Sequence, residues 1–227
     1  MDLPVLVINF KTYAEARGNK GLELAKLSEF VAKEYGVNIV VVPQVVDMIC
    51  IAREVDIPVF SQHIDNKTPG SATGHIEVSA LQEGGIQGTL LNHSEKRLEI
   101  SILEESIVLA ISHDLKPIVC AGTINLSSAV SSLNPWAVAM EPPELIGGDV
   151  SVTSRPQAVK DSVAAVNSIN PSIIPLTGAG VKTGAHLETA IDLGSKGVLL
   201  ASGIVKAKNP KKVLEEMAKI MTKYSSH

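Results

Sequence analysis

Short apolar runs alternate with amphipathic segments along the whole chain. Most of these runs are continuously hydrophobic, which is typical of parallel strands that are buried on both faces. Eight runs are predicted to form strands: LPVLVIN (3–9), NIVVV (38–42), IPVFSQ (57–62), GTLLN (88–92), PIVCA (117–121), WAVAM (136–140), SIIPLT (172–177) and GVLLA (197–201).

The segments between these runs carry the one-face apolar spacing of helices. Pro156 stands where the first turn of a helix tolerates a proline. Residues 63–75 are predicted to form a long polar loop before a short helix. The apolar positions that predict four of the helices are Leu24, Leu27 and Val31; Ile100, Leu103 and Ile107; Val159, Val163 and Val166; and Val213, Met217, Ile220 and Tyr224.

Eight strand–helix units in one unbroken series predict an α/β fold, a (β/α)8 barrel formed by a single domain over residues 1–227. The alternative is a doubly wound open sheet. That fold usually carries a dinucleotide-binding fingerprint after its first strand, and VINFKTYAEARG contains none. The barrel is therefore the predicted fold.

Composition and charge narrow the possible partners. Aromatic residues make up 3% of the chain, so that the core must be built from Val, Ile, Leu and Ala. A net charge of −4 argues against nucleic acid as a partner. No apolar run approaches the ~20 residues of a membrane span, and MDLPVLVINFK is interpreted as a strand rather than a signal peptide. Cys50 and Cys120 predict two reduced, buried thiols in a cytoplasmic protein.

The catalytic residues of a (β/α)8 barrel lie at the carboxyl ends of its strands. A carboxylate, an imidazole and an ammonium group together can abstract a proton and polarise a carbonyl group. Taken singly, Lys11 could be a solvated lysine, His93 a loop histidine bonded to the backbone, and Glu141 the ion-pair partner of Lys11. The residues predicted at the strand ends are Asn9, Lys11, Gln62, Asn92, His93, Glu141, Gly178 to Gly180 and Ala201 to Gly203.

His93 differs from the other histidines in its sequence context. It precedes Ser94-Glu95, which is predicted to begin a helix whose N-terminus favours the neutral imidazole. The other five show no metal-ligand spacing, so no metal is predicted, and they are expected to be solvated: His63, His75, His113, His186 and His227.

Two turns of small residues follow the last two predicted strands. TGAGVKTG (177–184) fits neither the Walker phosphate loop nor G-x-G-x-x-G, because its glycines are wrongly spaced. It could be a tight turn before a helix, or a nest of backbone N–H groups that binds a phosphate dianion. LLASGIVK (199–206) repeats the pattern. Phosphate sites formed by the loops after strands seven and eight recur in such barrels, which favours phosphate binding.

With these residues assembled, the chain resembles the triosephosphate isomerase family in its short archaeal form. Such a member is a TIM barrel that, without a cofactor, interconverts D-glyceraldehyde 3-phosphate and dihydroxyacetone phosphate through an enediolate, in glycolysis and gluconeogenesis. Five segments carry the resemblance, in the family's order: NFKTY (9–13), NHSEKR (92–97), EPPELIGG (141–148), GAGV (178–181) and LLAS (199–202).

The resemblance implies roles, established for the family, for the matching residues. Glu141 is the base that takes a proton from the carbon next to the carbonyl, His93 is the neutral electrophile, and Lys11 stabilises the enediolate and phosphate charge. Asn9 positions the substrate. The implied phosphate contacts are Ile146, Gly147, Gly180, Ala201 and Ser202.

The chain departs from the family's pattern at the phosphate end of the site. Glu144 stands where the family's loop usually has a tryptophan, Gly180 stands in place of a serine, and Ala201 and Ser202 replace paired glycines. These departures concern how a closed loop is held rather than the proton transfer.

The resemblance also implies a lid and an assembly. Pro142-Pro143 and Gly147-Gly148 are predicted to be the two hinges of a lid over the site. In the family, the loop after the third strand, here with Thr73, reaches into a neighbouring subunit. Together with the short helices, this implies a homo-oligomer, with a tetramer favoured over a dimer.

Two other functions remain open from the sequence. An aldose–ketose isomerase for a larger sugar phosphate would need more room than the short loops after strands one and four leave. A phosphate-binding barrel without catalysis would serve as a scaffold or sensor. The intact set of Lys11, His93 and Glu141 favours an enzyme.

Overall fold

The computed structural model describes residues 4–142 and 152–225. Within them, eight parallel strands form one sheet with the order β2-β1-β8-β7-β6-β5-β4-β3. A single bridge between Val41 and Val59 joins β2 to β3 and nearly closes the sheet into a barrel. This confirms the predicted (β/α)8 fold. The strands are β1 (Val5–Asn9), β2 (Asn38–Val42), β3 (Phe60–Ser61), β4 (Gly88–Leu91), β5 (Lys116–Ala121), β6 (Ala137–Met140), β7 (Ile174–Gly178) and β8 (Gly197–Leu200).

Helices alternate with the strands. The hydroxyls of Thr123 and Thr183 accept hydrogen bonds from the first turns of α5 and α7, and prolines occupy the first turns of α6 and α9. The predicted polar loop ends at a short helix, as expected. The helices are α1 (Asn19–Tyr35), α2 (Met48–Ala52), α3 (Val78–Glu83), α4 (Ile100–Ser112), α5 (Ile124–Ser131), α6 (Pro156–Ile169), α7 (Gly184–Asp192), α8 (Ser202–Val205) and α9 (Pro210–Thr222), with 3-10 turns at Ala14–Ala16 and Val152–Ser154.

The strands bury both of their faces. Alternate residues point into the barrel and towards the helices, which explains why the apolar runs are continuous. Phe60 lies in the interior, and a Cβ on Gly88 would lie 2.5 Å from the Phe60 ring. The buried interior cluster is Val5, Val7, Val40, Val42, Phe60, Leu90, Ile118, Cys120, Ala137, Ala139, Leu176 and Leu199.

Two of the predicted helix faces differ from those observed. Ile100 is 62% exposed, whereas Leu103 and Ile107 are buried. In α9 the buried stripe is displaced by one position from the predicted one, because the helix packs between α1 and α7. The residues of the observed stripe are Leu214, Met217, Ala218 and Met221.

Two predicted side-chain environments are wrong. Cys50 is exposed, whereas Cys120 is buried as predicted. His63 is buried, because the loop after β3 folds back and Asp65 accepts a hydrogen bond from the N–H of Ile76. Burial, followed by the charge of Lys96, lowers the pKa of His63. No helix in the described part of the chain is long and apolar enough to span a membrane.

Candidate active site

Lys11 follows β1 in a backbone conformation that favours glycine, with φ +48°. Two side-chain amides hold this conformation. The Asn9 Oδ1 accepts a hydrogen bond from the Lys11 N–H at 2.9 Å, and the Gln62 Nε2 donates one to the Lys11 carbonyl at 2.9 Å. The ammonium group pairs with Glu95 at 2.8 Å. Glu95, rather than Glu141, is thus the ion-pair partner of Lys11 in the structure.

His93 follows β4 and is buried, with 7% of its surface exposed. Its Nδ1 accepts a hydrogen bond from the backbone N–H of Glu95 at 3.2 Å. Because Nδ1 acts as the acceptor, a neutral ring carries its proton on Nε2. The predicted helix start at Ser94-Glu95 is wrong, since these residues form a turn and α4 begins at Ile100. The tautomer is therefore set by one turn amide.

Asn92 holds the turn that carries His93. It adopts φ +58°, a left-handed conformation that asparagine tolerates well. Its Nδ2 donates to the carbonyl of Cys120 at 3.1 Å, and its Oδ1 accepts from the N–H of Leu98 at 3.1 Å. One buried amide thereby ties the end of β4 to β5 and to the segment before α4.

Glu141 follows β6, and its N–H donates to the carbonyl of Ala121 at 2.8 Å. The residue is 6% exposed, and its Oε2 lies 3.5 Å from the Nε2 of His93. Burial raises the pKa of Glu141, although the neighbouring His93, Cys120 and Lys11 oppose this shift. The Glu141 Oε2 has no hydrogen-bond partner among the described residues. A buried carboxylate oxygen without a hydrogen bond is costly to keep and is typical of a functional site.

The two small-residue turns lie beside these side chains. Ala179 and Gly180 after β7 both have positive φ, +69° and +71°. Ala201 precedes α8, a helix of four residues that starts at Ser202. Both turns follow parallel strands and therefore lie at the same end of the barrel.

These groups converge on one small cavity at the carboxyl ends of the strands. Of the residues with predicted roles, the lining includes Asn9, Lys11, His93, Glu141, Gly180, Ala201 and Ser202. Predicted contacts Ile146 and Gly147, together with Pro143, Glu144 and Gly148 of the predicted lid, lie outside the described residues.

A second, larger cavity of about 520 Å³ adjoins the first and shares Asn9, Lys11, Tyr13 and His93 with it. It extends towards Gln44, Val45 and Met48 after β2 and towards His63 and Ile76 of the loop after β3. No group of three or more His, Cys, Asp or Glu side chains within residues 4–142 and 152–225 is suited to hold a metal ion.

Sequence reasoning assigned no role to several residues that hold the site. Gln62 and Asn92 were expected at strand ends, but without a function. Glu95 lies in the segment NHSEKR, yet its pairing with Lys11, 84 residues away, leaves no trace in local spacing. Burial, followed by the charge of the neighbouring Glu141, raises the pKa of the Cys120 thiol. Only the inward register of β5 signals that the two residues are neighbours.

The fold and the polar groups at the strand ends define a (β/α)8 barrel enzyme. Residues 4–222 match the sequence profile of the family described as triosephosphate isomerase. The chain is 48% identical over 218 residues to a triosephosphate isomerase of Methanocaldococcus jannaschii, covering 96% of this chain and 100% of the relative.

Two further relatives carry the same name. The protein of Methanobacterium bryantii is 49% identical over 217 residues, covering 95% of this chain and 96% of the relative. The protein of Methanosarcina barkeri is 46% identical over 222 residues, covering 97% of this chain and 100% of the relative. The chain belongs to the triosephosphate isomerase family.

Proposed function

We propose that this chain interconverts D-glyceraldehyde 3-phosphate and dihydroxyacetone phosphate by proton transfer, without a cofactor. The observation that carries the proposal is the meeting of Glu141 and His93, 3.5 Å apart, with Lys11 in one cavity beside two small-residue turns. A base, a hydrogen-bond donor and a cation are the groups that an enediolate intermediate requires.

The proposed proton transfer starts and ends on Glu141. The carboxylate takes a proton from the carbon next to the carbonyl and returns it to the neighbouring carbon, so that no external acid or oxidant is consumed. Burial raises the pKa of Glu141, which makes the carboxylate a stronger base than an exposed one. The Nε2–H of His93 donates to the substrate oxygen while negative charge develops there, and the Lys11 ammonium stabilises that charge.

Phosphate binding is assigned to the turns after β7 and β8. Gly180, Ala201 and Ser202 line the cavity, and their backbone N–H groups are assigned as donors to a phosphate dianion. Asn9 is assigned a part in orienting the substrate, because it lines the same cavity and fixes Lys11. The proposed contacts of Ile146 and Gly147 rest on the family resemblance alone.

We also propose that the chain forms a homo-oligomer, with a tetramer favoured. Val46 is 77% exposed beside the larger cavity, which suits contact with a loop of another subunit. A second apolar surface lies on α4, where Ile100, Val108 and Ile111 are each about half exposed or more. Two separate apolar surfaces on one subunit suit an assembly larger than a dimer, and sedimentation equilibrium measures the subunit number.

Because the proposed substrates are triose phosphates, we also propose that the enzyme acts in the cytoplasm, in glycolysis and gluconeogenesis.

The direct test is a coupled assay with glyceraldehyde 3-phosphate on the purified chain, alongside Glu141→Asp. Shortening the side chain withdraws the carboxylate by one methylene, and misplacement on this scale lowers kcat by about 100-fold or more. Glu188→Asp is the control, because this exposed glutamate pairs with Lys223 outside both cavities.

Three outcomes would contradict the proposal. Near wild-type kcat in a folded Glu141→Asp variant would remove Glu141 as the base. Turnover of pentose phosphates without turnover of triose phosphates would indicate a larger substrate. Binding of triose phosphate without any turnover at high protein concentration would indicate a scaffold or sensor.

A further inference from the structure

Gly178 is the last residue of β7 and lies beside the end of β6. Thr177 pairs with Met140 in the ladder between these strands, which places Gly178 next to Glu141. A Cβ atom at Gly178 would stand 2.5 Å from the Cγ, 2.7 Å from the Oε1 and 2.9 Å from the Cδ of Glu141. The Glu141 side chain therefore occupies the volume that any other residue at position 178 would fill.

We propose that Gly178 is a positioning residue for Glu141, because its missing side chain provides the space in which the carboxylate is held. The inference rests on the proposed role of Glu141 as the base. Hydrogen bonds alone do not fix this carboxylate. The Glu141 Oε2 has no hydrogen-bond partner among the described residues. Its position thus depends on the packing around it.

The glycine is not required by the backbone at this point. Gly180, two residues further along the chain, has φ +71°, whereas the φ of Gly178 lies outside the left-handed region. Elsewhere in the barrel, a Cβ on Gly197 would meet the carbonyl oxygen of Val5 at 2.0 Å, so that replacement would break the sheet. The three nearest atoms to a Cβ on Gly178 all belong to one flexible side chain. Replacement would therefore move Glu141 rather than disrupt the strand.

The test is Gly178→Ala. The Glu141 stem must move by about 1 Å to regain an ordinary carbon–carbon contact. Misplacement of a catalytic group by ~1 Å costs about 100-fold, so kcat is expected to fall about 100-fold. The KM for glyceraldehyde 3-phosphate and the inhibition constant of inorganic phosphate are expected to change less than about two-fold, because the phosphate turns are untouched.

Gly184→Ala is the matched control. A Cβ on Gly184 would stand 2.9 Å from the Cγ and Oε1 of Glu216, which repeats the clash with a glutamate outside both cavities. Its kcat is expected to equal that of the wild type. Equal losses of kcat in the two variants would mean that the effect is general and would overturn the proposal.

A double-mutant cycle with Glu141→Ala separates positioning from other causes. Alanine lacks all three of the clashing atoms, so that Gly178→Ala is expected to lower the residual kcat less than about three-fold in the Glu141→Ala background, against about 100-fold in the wild type. Additive losses would overturn the proposal. So would wild-type kcat in Gly178→Ala, or a rise in KM and in the phosphate inhibition constant at unchanged kcat.

Two further measurements cover the remaining cases. If Gly178→Ala is too unstable to assay, Tm is measured for the same four proteins, and the proposal requires Gly178→Ala to lower Tm less in the Glu141→Ala background than in the wild type. If the wild type shows no isomerase activity, the proposed function fails independently. A crystal structure of Gly178→Ala then decides the matter, because an unmoved Glu141 carboxylate overturns the inference.

Discussion

The two ends of the barrel use the left-handed backbone conformation differently. At the floor, meaning the amino-terminal ends of the strands, it is adopted by residues that tolerate it in the turns after helices: Gly36, Gly85, Asp114, Asn134 and Gly194. At the mouth, meaning the carboxyl-terminal ends, Lys11 and Ala179 adopt it as well. Neither residue type favours this conformation.

The comparison shows that the turns at the floor favour a stable fold, whereas the turns at the mouth lower its stability. The floor turns satisfy local conformational preferences. The mouth holds Lys11 in a strained conformation by means of Asn9 and Gln62, and it buries one Glu141 oxygen that has no hydrogen-bond partner within the described part of the chain. Strain held in place by surrounding hydrogen bonds is typical of functional sites. Substitutions at the mouth are therefore expected to change activity, and those at the floor stability.

The largest effect is expected from Glu141→Gln. The amide keeps the shape of the side chain but cannot accept the proton, and loss of a general base lowers kcat by about 100- to 10,000-fold. The folded state of the variant, in contrast, is expected to be more stable than that of the wild type. Because burial raises the pKa of Glu141 above its unfolded value, the charged form destabilises the folded state increasingly as pH rises through the folded pKa.

The Tm of Glu141→Gln is thus expected to exceed that of the wild type at pH 8 and to match it at pH 4. Scanning calorimetry at both pH values measures the difference. A variant that is less stable than the wild type at pH 8 would contradict the view that the mouth gives up stability for function.

An intermediate effect is expected from Asn92→Gly. Glycine adopts φ +58° readily, so the change removes only the two hydrogen bonds to Cys120 and Leu98. Because these bonds hold the turn that carries His93, kcat is expected to fall about 10-fold, equivalent to about 1.4 kcal/mol, with KM nearly constant. Steady-state kinetics measure both constants.

Asn134→Gly at the floor is the matched control. Asn134 has φ +53°, and its Oδ1 accepts an exposed hydrogen bond from Asn170. Its replacement is expected to leave kcat unchanged. Equal losses in kcat for the two variants would mean that the two ends of the barrel do not differ in this respect.

The smallest effect is expected from Gly36→Ala. A Cβ at this position has no atom of the described residues within 4 Å, so the cost comes from the backbone at φ +63°. A loss of about 1 kcal/mol is expected, which lowers Tm by ~2–4 °C in a chain of this size, and kcat should not change. Gly36→Asn is the milder control, because asparagine tolerates the left-handed conformation. A change in kcat with either variant would break the separation between floor and mouth.

Most of the fold could be predicted from the sequence because parallel strands carry a strong local signal. NIVVV matches β2, since both faces of that strand are buried. The prediction was too long for β3, where a six-residue run forms a ladder over two residues. An apolar run indicates that a segment is buried, but a strand also needs hydrogen bonds to a neighbouring strand. On the β2 side, β3 is joined by a single bridge.

Of the candidate site, only the residues that directly follow predicted strands could be predicted from the sequence. Lys11, His93 and Glu141 each follow a strand directly. The contacts that hold them join distant residues, such as Asn92 to Cys120 across 28 positions, and no local pattern encodes such a contact. The burial of His63 was missed for the same reason, because it depends on how a polar loop folds back.

The single bridge between Val41 and Val59 has a consequence for heat inactivation. Beyond β3, the Gln62 amide donates to the carbonyl of Val42 at 3.3 Å and to that of Lys11 at 2.9 Å. One side chain thus supports the weakest junction of the barrel and the backbone of the active-site cation. Local opening at such a junction requires less energy than global unfolding. On warming, the enzyme would therefore lose its Lys11 geometry before it loses its barrel, and activity would decay below the unfolding temperature.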